Sequence, residues 1–281
     1  MNEHERAEVE RIASDSESGA SELVHRAAML LLSSAQRPGG NVQEVAAACV
    51  SAQPSMAGML TLEAVVSNNS DPAPAIERFA MQVRRAPEAI AAHAVPLLRL
   101  GAATNRAGRA ALTVVTCSGS AAVKATLRAL ATAADVRVRC AESRPGLEGA
   151  ALARELAAGP IAVELFTDAG ISSALSGADA LLVGADAVGD IGFVNKVGTA
   201  ALCALAAHGG VPVYVLAGRE KRLSPSLFGR VAMKSGPGSG ILLSGSLDLA
   251  ALPVTLRNPY FELIPLSLVT YLILDTGDMS L

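Results

Sequence analysis

Aromatic residues make up only 3% of the 281 positions, and tryptophan is absent. A chain so poor in rings must build its core from Ala, Val and Leu, with closely approaching backbones, and a hydrophobic fraction of 51% is ample for that. Charge is scarce as well. Charged residues are 17% of the chain and the net charge is −3. This excludes a disordered polyelectrolyte, and it argues against a protein dominated by nucleic-acid backbone binding, because no basic excess exists to displace counterions. The four cysteines, Cys49, Cys117, Cys140 and Cys203, form no CxxC pair and have no histidine cluster nearby, so neither a zinc site nor a disulfide framework is expected. No GxGxxG follows the first strand candidate and no GxxxxGKS or GxxxxGKT occurs, so standard dinucleotide and P-loop sites are unsupported. No cofactor and no metal are expected. Long apolar runs are missing too: the stretch from Leu263 to Leu274 is interrupted by Pro265 and falls short of the roughly 20 residues a membrane span needs. The chain opens Met1-Asn2-Glu3-His4-Glu5-Arg6, polar and acidic where a signal peptide is basic and then apolar. The expectation is a soluble, cytoplasmic protein with no membrane partner.

The length suits one large domain or two modest ones. Residues 6 to about 105 read as helical, with Leu23, Ala27, Leu30 and Leu31 at three- and four-residue spacing. Breaks fall at Arg37-Pro38-Gly39-Gly40, at Gln53-Pro54-Ser55 and at Ser67 to Pro72, giving four or five helices. The pattern changes near Gly101. Strand candidates at 111–116, 136–140, 161–166, 180–184 and 211–216 alternate with helical stretches at 120–132, 150–158, 171–175 and 197–207. Nearly continuous apolar strands in strict alternation with helices predict a parallel sheet covered on both faces. The expected class is therefore α/β, with a helical N-terminal domain over 1–105 and a Rossmann-like domain over 106–281.

In such sheets ligands bind beyond the carboxyl ends of the strands. Thr116-Cys117-Ser118-Gly119-Ser120 is small, rich in hydroxyls and opens a helix, so its free N–H groups suit an anion; it also reads as an ordinary Ser N-cap. Arg144 follows the second strand and would hold a guanidinium over the same crevice. Lys196 is one of only four lysines and stands beside Asn195 at a helix start, where it suits a phosphate or is simply solvated. Asp186 directly follows an apolar strand. Partial burial there would raise its pKa toward general-acid use, or it caps the next turn. His4, His25, His93 and His208 lie away from these strand ends, which leaves no Ser/His/Asp candidate. Gly236, Gly238 and Gly240 around Pro237 read as a mobile or an ordinary surface loop.

The run Gly184-Ala185-Asp186 through Gly192 to Val194-Asn195-Lys196-Val197-Gly198-Thr199 resembles the signature of the initiation factor 2B alpha/beta/delta family, which includes methylthioribose-1-phosphate and ribose-1,5-bisphosphate isomerases. Ser143-Arg144-Pro145, Thr167-Asp168, Asn258-Pro259-Tyr260-Phe261-Glu262, Ser18-Gly19-Ala20 and Gln53-Pro54-Ser55 add to the resemblance, which covers nearly the whole chain. It implies a pocket for a phosphorylated sugar or nucleotide between two domains, and a homodimer, with higher assembly open, formed largely through the C-terminal part. It implies ligand contacts from Gly19, Ala20, Gln53, Ser118, Ser120, Arg144, Asn195 and Lys196, with Asp186 and Cys117 as catalytic candidates. The isomerase branch has a Thr-His-Cys loop. Here Cys117 takes the histidine place and Ser118 the catalytic cysteine place. The same branch carries phosphate-binding arginines where this chain has Ser18 and Gln53, and each lost charged hydrogen bond is worth roughly 1.5–3 kcal/mol. Three readings follow: a regulatory, non-catalytic binder; an aldose–ketose isomerase of a sugar 1-phosphate; and a translation initiation factor subunit.

Overall fold

The structure is a computed structural model and describes residues 1–15, 18–105, 111–233, 235–236 and 254–279. Five helices lead: α1 (Glu3–Ser14), α2 (Ala20–Gln36), α3 (Val42–Ala52), α4 (Ala57–Ser67) and α5 (Ala73–Asn105). Three of the gaps between them are the three Pro-, Gly- and Asn-rich breaks legible in the sequence. Asn2 closes a capping box with Glu5 at the start of α1, and Asn41 caps α3 through the Glu44 N–H. Leu23, Ala27, Leu30 and Leu31 of α2 all point into the helical core, where they meet Ile76, Phe79 and Val83 of α5. Helix α5 runs on through Pro87 and Pro96. Its second half, from Ala86 through Ile90 and Ala94 to Leu98, belongs to the core of the sheet instead.

The large sheet has seven strands. They are β1 (Leu112–Thr116), β2 (Val136–Ala141), β3 (Ala162–Phe166), β4 (Ala180–Gly184), β7 (Val213–Ala217), β9 (Tyr271–Leu274) and β10 (Gly277–Met279), in the spatial order β10-β9-β7-β4-β1-β2-β3. Every pairing is parallel except that of β10 with β9. Helices α6 (Ala121–Ala131), α7 (Glu148–Ala157) and α8 (Thr199–His208) and a 3₁₀ turn at Ile171–Leu175 connect the strands. Apolar clusters cover both faces, as the continuous burial of β1, β4 and β7 requires. The order reverses between β1 and β4, and their carboxyl ends open a crevice there.

A second, antiparallel sheet stands beyond β4. It consists of β5 (Ala187–Val188), β6 (Gly192–Lys196) and β8 (Phe261–Pro265). The sequence pattern had placed loop where β5 and β6 lie. A helix expected from Val197 begins only at Thr199, because the Val197 N–H is still paired in sheet fashion with the Tyr260 carbonyl at 2.9 Å. Of the loop expected around Pro237, only Gly236 falls inside the described residues. No described helix is long and apolar enough to cross a membrane.

Candidate functional site

The β5–β6 hairpin does the positioning. Asp186 lies between β4 and β5, and its N–H donates to the Val194 carbonyl at 2.8 Å, while its carbonyl accepts from Ala57 at the start of α4 at 3.1 Å. The backbone of Asp186 is thus held from both sides, and Asn195 and Lys196 arrive beside it on β6. At the neighbouring strand end Ser120 caps α6, accepting from the Val123 N–H at 3.4 Å. Gly184 lets these two strand ends meet: a Cβ there would stand 2.7 Å from the Ser120 Cβ. The start of α2 completes the arrangement. Gly19, its N-cap, offers no side-chain cap, and a Cβ on it would lie 3.5 Å from the Gly119 carbonyl.

These elements enclose a cavity of about 900 Å³. Gly19, Ala20, Gln53, Cys117, Ser118, Ser120, Asp186, Asn195 and Lys196, separated by up to 177 positions, all line it. Arg144 does not. Its backbone N–H is held by Asp168 Oδ2 at 2.6 Å, and the Ser143 N–H by Asp168 Oδ1 at 2.7 Å, so the Ser-Arg-Pro turn braces the strand ends from behind. Ser143 Oγ in turn accepts from the Ser118 N–H at 2.7 Å, fixing Ser118 in the left-handed region with φ 64°.

Lys196 is 2% exposed; its Nζ lies 2.8 Å from Glu148 Oε1 and 4.3 Å from the centre of the Tyr260 ring. An ammonium has three protons, so these contacts leave it able to meet a ligand anion. Lys221, which no sequence pattern singled out, is also buried and lines the cavity, donating to the Ala185 carbonyl at 2.7 Å. Burial lifts the Asp186 carboxyl above the usual aspartate range; Lys221 and Lys196 pull it back and Glu148 adds to the rise. Among the described residues the cavity is lined by five carboxylates and four cationic side chains, so it has no strong positive field.

Thr199 organises the floor. Its hydroxyl donates to the Lys196 carbonyl at 2.6 Å, accepts from Asn195 Nδ2 at 3.1 Å and lies 3.6 Å from Cys117 Sγ. With its single proton already given away, it takes the Cys117 S–H as a further donor. Burial pushes the Cys117 thiol up to about 11, with Asp168 and Glu262 adding to the rise. The group in the cavity is a thiol at neutral pH, not a thiolate.

The two positions at which arginines were expected are occupied otherwise. Gln53 is buried and donates from Nε2 to the Ile12 carbonyl at 2.7 Å. Ser18 is tied to Asp15 through both its N–H and its hydroxyl, at 2.8 Å each, and Asp15 is paired with Arg26 at 2.7 Å. His25 of α2 also lines the cavity, although sequence reading set it apart from the strand ends. Helix packing, which a linear pattern does not reveal, brings it there.

Comparison with known proteins agrees with this architecture. A ribose 1,5-bisphosphate isomerase of Archaeoglobus fulgidus is 29% identical over 167 residues, covering 59% of this chain and 53% of the relative. A methylthioribose-1-phosphate isomerase of Desulforudis audaxviator is 36% identical over 147 residues, 50% of this chain and 42% of the relative. The chain thus spans about half the length of the curated relatives it matches. A solved structure described as translation initiation factor eIF-2B from Pyrococcus horikoshii OT3 superimposes with a TM-score of 0.81 at 25% identity, covering 100% of this chain and 98% of the other. The sequence profile of the Initiation factor 2 subunit family matches residues 16–280, and the chain belongs to that family.

Proposed function

We propose that this chain binds a phosphorylated sugar or nucleotide by a single phosphate in the cavity, and that it does so as a regulatory rather than a catalytic member of its family. The observation that carries this reading is the division of labour along the cavity wall. The strand-end side keeps Lys196, Lys221, Asn195 and the start of α6, whose N–H groups and dipole favour an anion. The helical side has Gln53 and Ser18 already bonded within the protein, with Asp15 and Glu22 close by. One phosphate is matched there; a second would meet carboxylates. The state of Cys117 supports the regulatory part, since a buried thiol whose proton is directed at Thr199 is poorly prepared to take a proton from carbon.

The isomerase reading keeps one specific support. Asp186 and Cys117 line the same cavity, and the raised pKa of Asp186 suits an acid that protonates the ring oxygen of a sugar 1-phosphate while hydrogen passes from C2 to C1 by way of Cys117. The relatives from Archaeoglobus and Desulforudis carry isomerase names.

Phosphorus NMR of the protein with AMP, methylthioribose 1-phosphate and ribose 1,5-bisphosphate separates the readings. The expected result is broadening of a monophosphate resonance with no new signal over time. A growing ketose-phosphate resonance makes the chain an isomerase, and three unperturbed spectra remove the phosphate-ligand reading altogether.

A further inference from the structure

His25 is the one histidine among the described residues that lines the cavity, and nothing in the reading above uses it. It lies on α2 six residues, about 9 Å along the helix, beyond the N-cap Gly19, which abuts the β1–α6 turn at the strand ends. That is the reach of a sugar ring beyond a bound phosphate. Its Nδ1 is enclosed by protein and has no hydrogen-bond partner among the described residues. A ring proton placed on Nδ1 would be a buried donor with no acceptor, the costlier way to leave a polar atom unpaired. In the neutral imidazole this favours the tautomer with its proton on Nε2, which leaves that nitrogen as the ring's donor. Gln53 and Ser18, also on the cavity wall, are engaged elsewhere, so they do not compete for a ligand atom. Glu22, one turn back on the same face of α2, and Asp15 set a negative surrounding that disfavours a second anion.

We propose that His25 is a specificity-determining residue, donating from Nε2 to an uncharged oxygen of the ligand, a sugar hydroxyl or a nucleobase carbonyl, while the phosphate is held at the strand ends. This rests on the single-phosphate reading of the cavity. The pairing assigns the ligand class as a monoester whose far end is neutral and oxygen-bearing.

The test compares inorganic phosphate with ribose 5-phosphate and AMP by calorimetry, on the full chain and on His25→Ala and His25→Gln, with thermal melts to confirm folding. The expected outcome is a loss of about three- to tenfold in affinity for at least one monoester on His25→Ala, the size of one neutral hydrogen bond, with phosphate affinity unchanged within about twofold. His25→Gln, which keeps a donor on a similar stem, recovers most of the loss. Long-range proton–nitrogen NMR of the four histidines, with the His25→Gln spectrum for assignment, is expected to show the Nε2–H form in the free protein and a shift of that nitrogen on ligand addition. Unchanged monoester affinity in His25→Ala, or equal loss for phosphate and monoester, overturns the proposal while leaving the phosphate site standing. Failure of the unaltered protein to bind any of the three overturns both.

Discussion

Asp186 carries the clearest pH signature in the chain. Its carboxyl is half-buried at the cavity floor, and its folded pKa lies above the ordinary value of 3.8 because burial outweighs the attraction of Lys221 and Lys196. A raised folded pKa means that the native state holds this proton more tightly than the unfolded chain does. The stability it contributes is complete below the unfolded pKa and is lost as pH rises through the folded one. Above the unfolded value the group is therefore a net cost to folding. Asp186→Asn keeps the shape and removes the charge, so the variant is expected to melt higher than the unaltered protein at neutral pH, by about 2–4 °C for each kcal/mol relieved. The gap should close as pH falls to about 4. Calorimetric melts of both proteins across that range check it. A variant that melts lower at neutral pH would mean that the two lysines need this charge more than burial penalises it.

Helix α7 shows what a single close approach does for an element. A Cβ at Gly149 would stand 1.8 Å from the Ala141 carbonyl oxygen, which is backbone and cannot swing aside. Gly149→Ala must therefore lift the first turn of α7 from the end of β2, and with it Glu148, the partner of Lys196. Overpacking of this kind costs about 1–3 kcal/mol, and here the upper end is expected because no side chain can yield. Chemical denaturation measures the loss, and weaker phosphate binding should accompany it. Elements also mark how far the sequence could be read. The helical breaks and the βα alternation announced themselves through Pro, Gly and Asn clusters and through apolar runs, since local chemistry alone decides them. The β5–β6 hairpin did not, because β5 is two residues long and its strand character comes from pairing with Val194 and Phe193. Strand β9 lay inside a stretch read only as too short for a membrane, and β8 overlaps a motif read for its resemblance rather than as a strand. The site was legible where it follows strand ends, at Ser120, Asp186 and Asn195. It was illegible where it depends on packing between distant elements, as for His25, or on a short 3₁₀ turn, as for Lys221.

At the scale of the whole molecule, the small sheet leaves apolar surface uncovered. Ile191, at the turn of the hairpin, is 71% exposed, and Leu263 on β8 is 38% exposed. Ile191 stands at the β5–β6 turn and Leu263 on β8, the strand that pairs with β6. Large aliphatic side chains exposed on one small sheet gain by leaving water when a second surface covers them. If subunits meet through the C-terminal part, as the resemblance implies, a two-fold arrangement would set this sheet against its own copy, the self-complementary geometry of most homodimers. The expected outcome is a dimer at micromolar concentration in sedimentation equilibrium. Ile191→Asp with Leu263→Asp should give a monomer of unchanged helical content, because neither residue is buried in the core, and the cavity should still bind phosphate. A monomeric unaltered protein would assign this surface to a different partner. A dimer that survives both substitutions would move the interface to another surface.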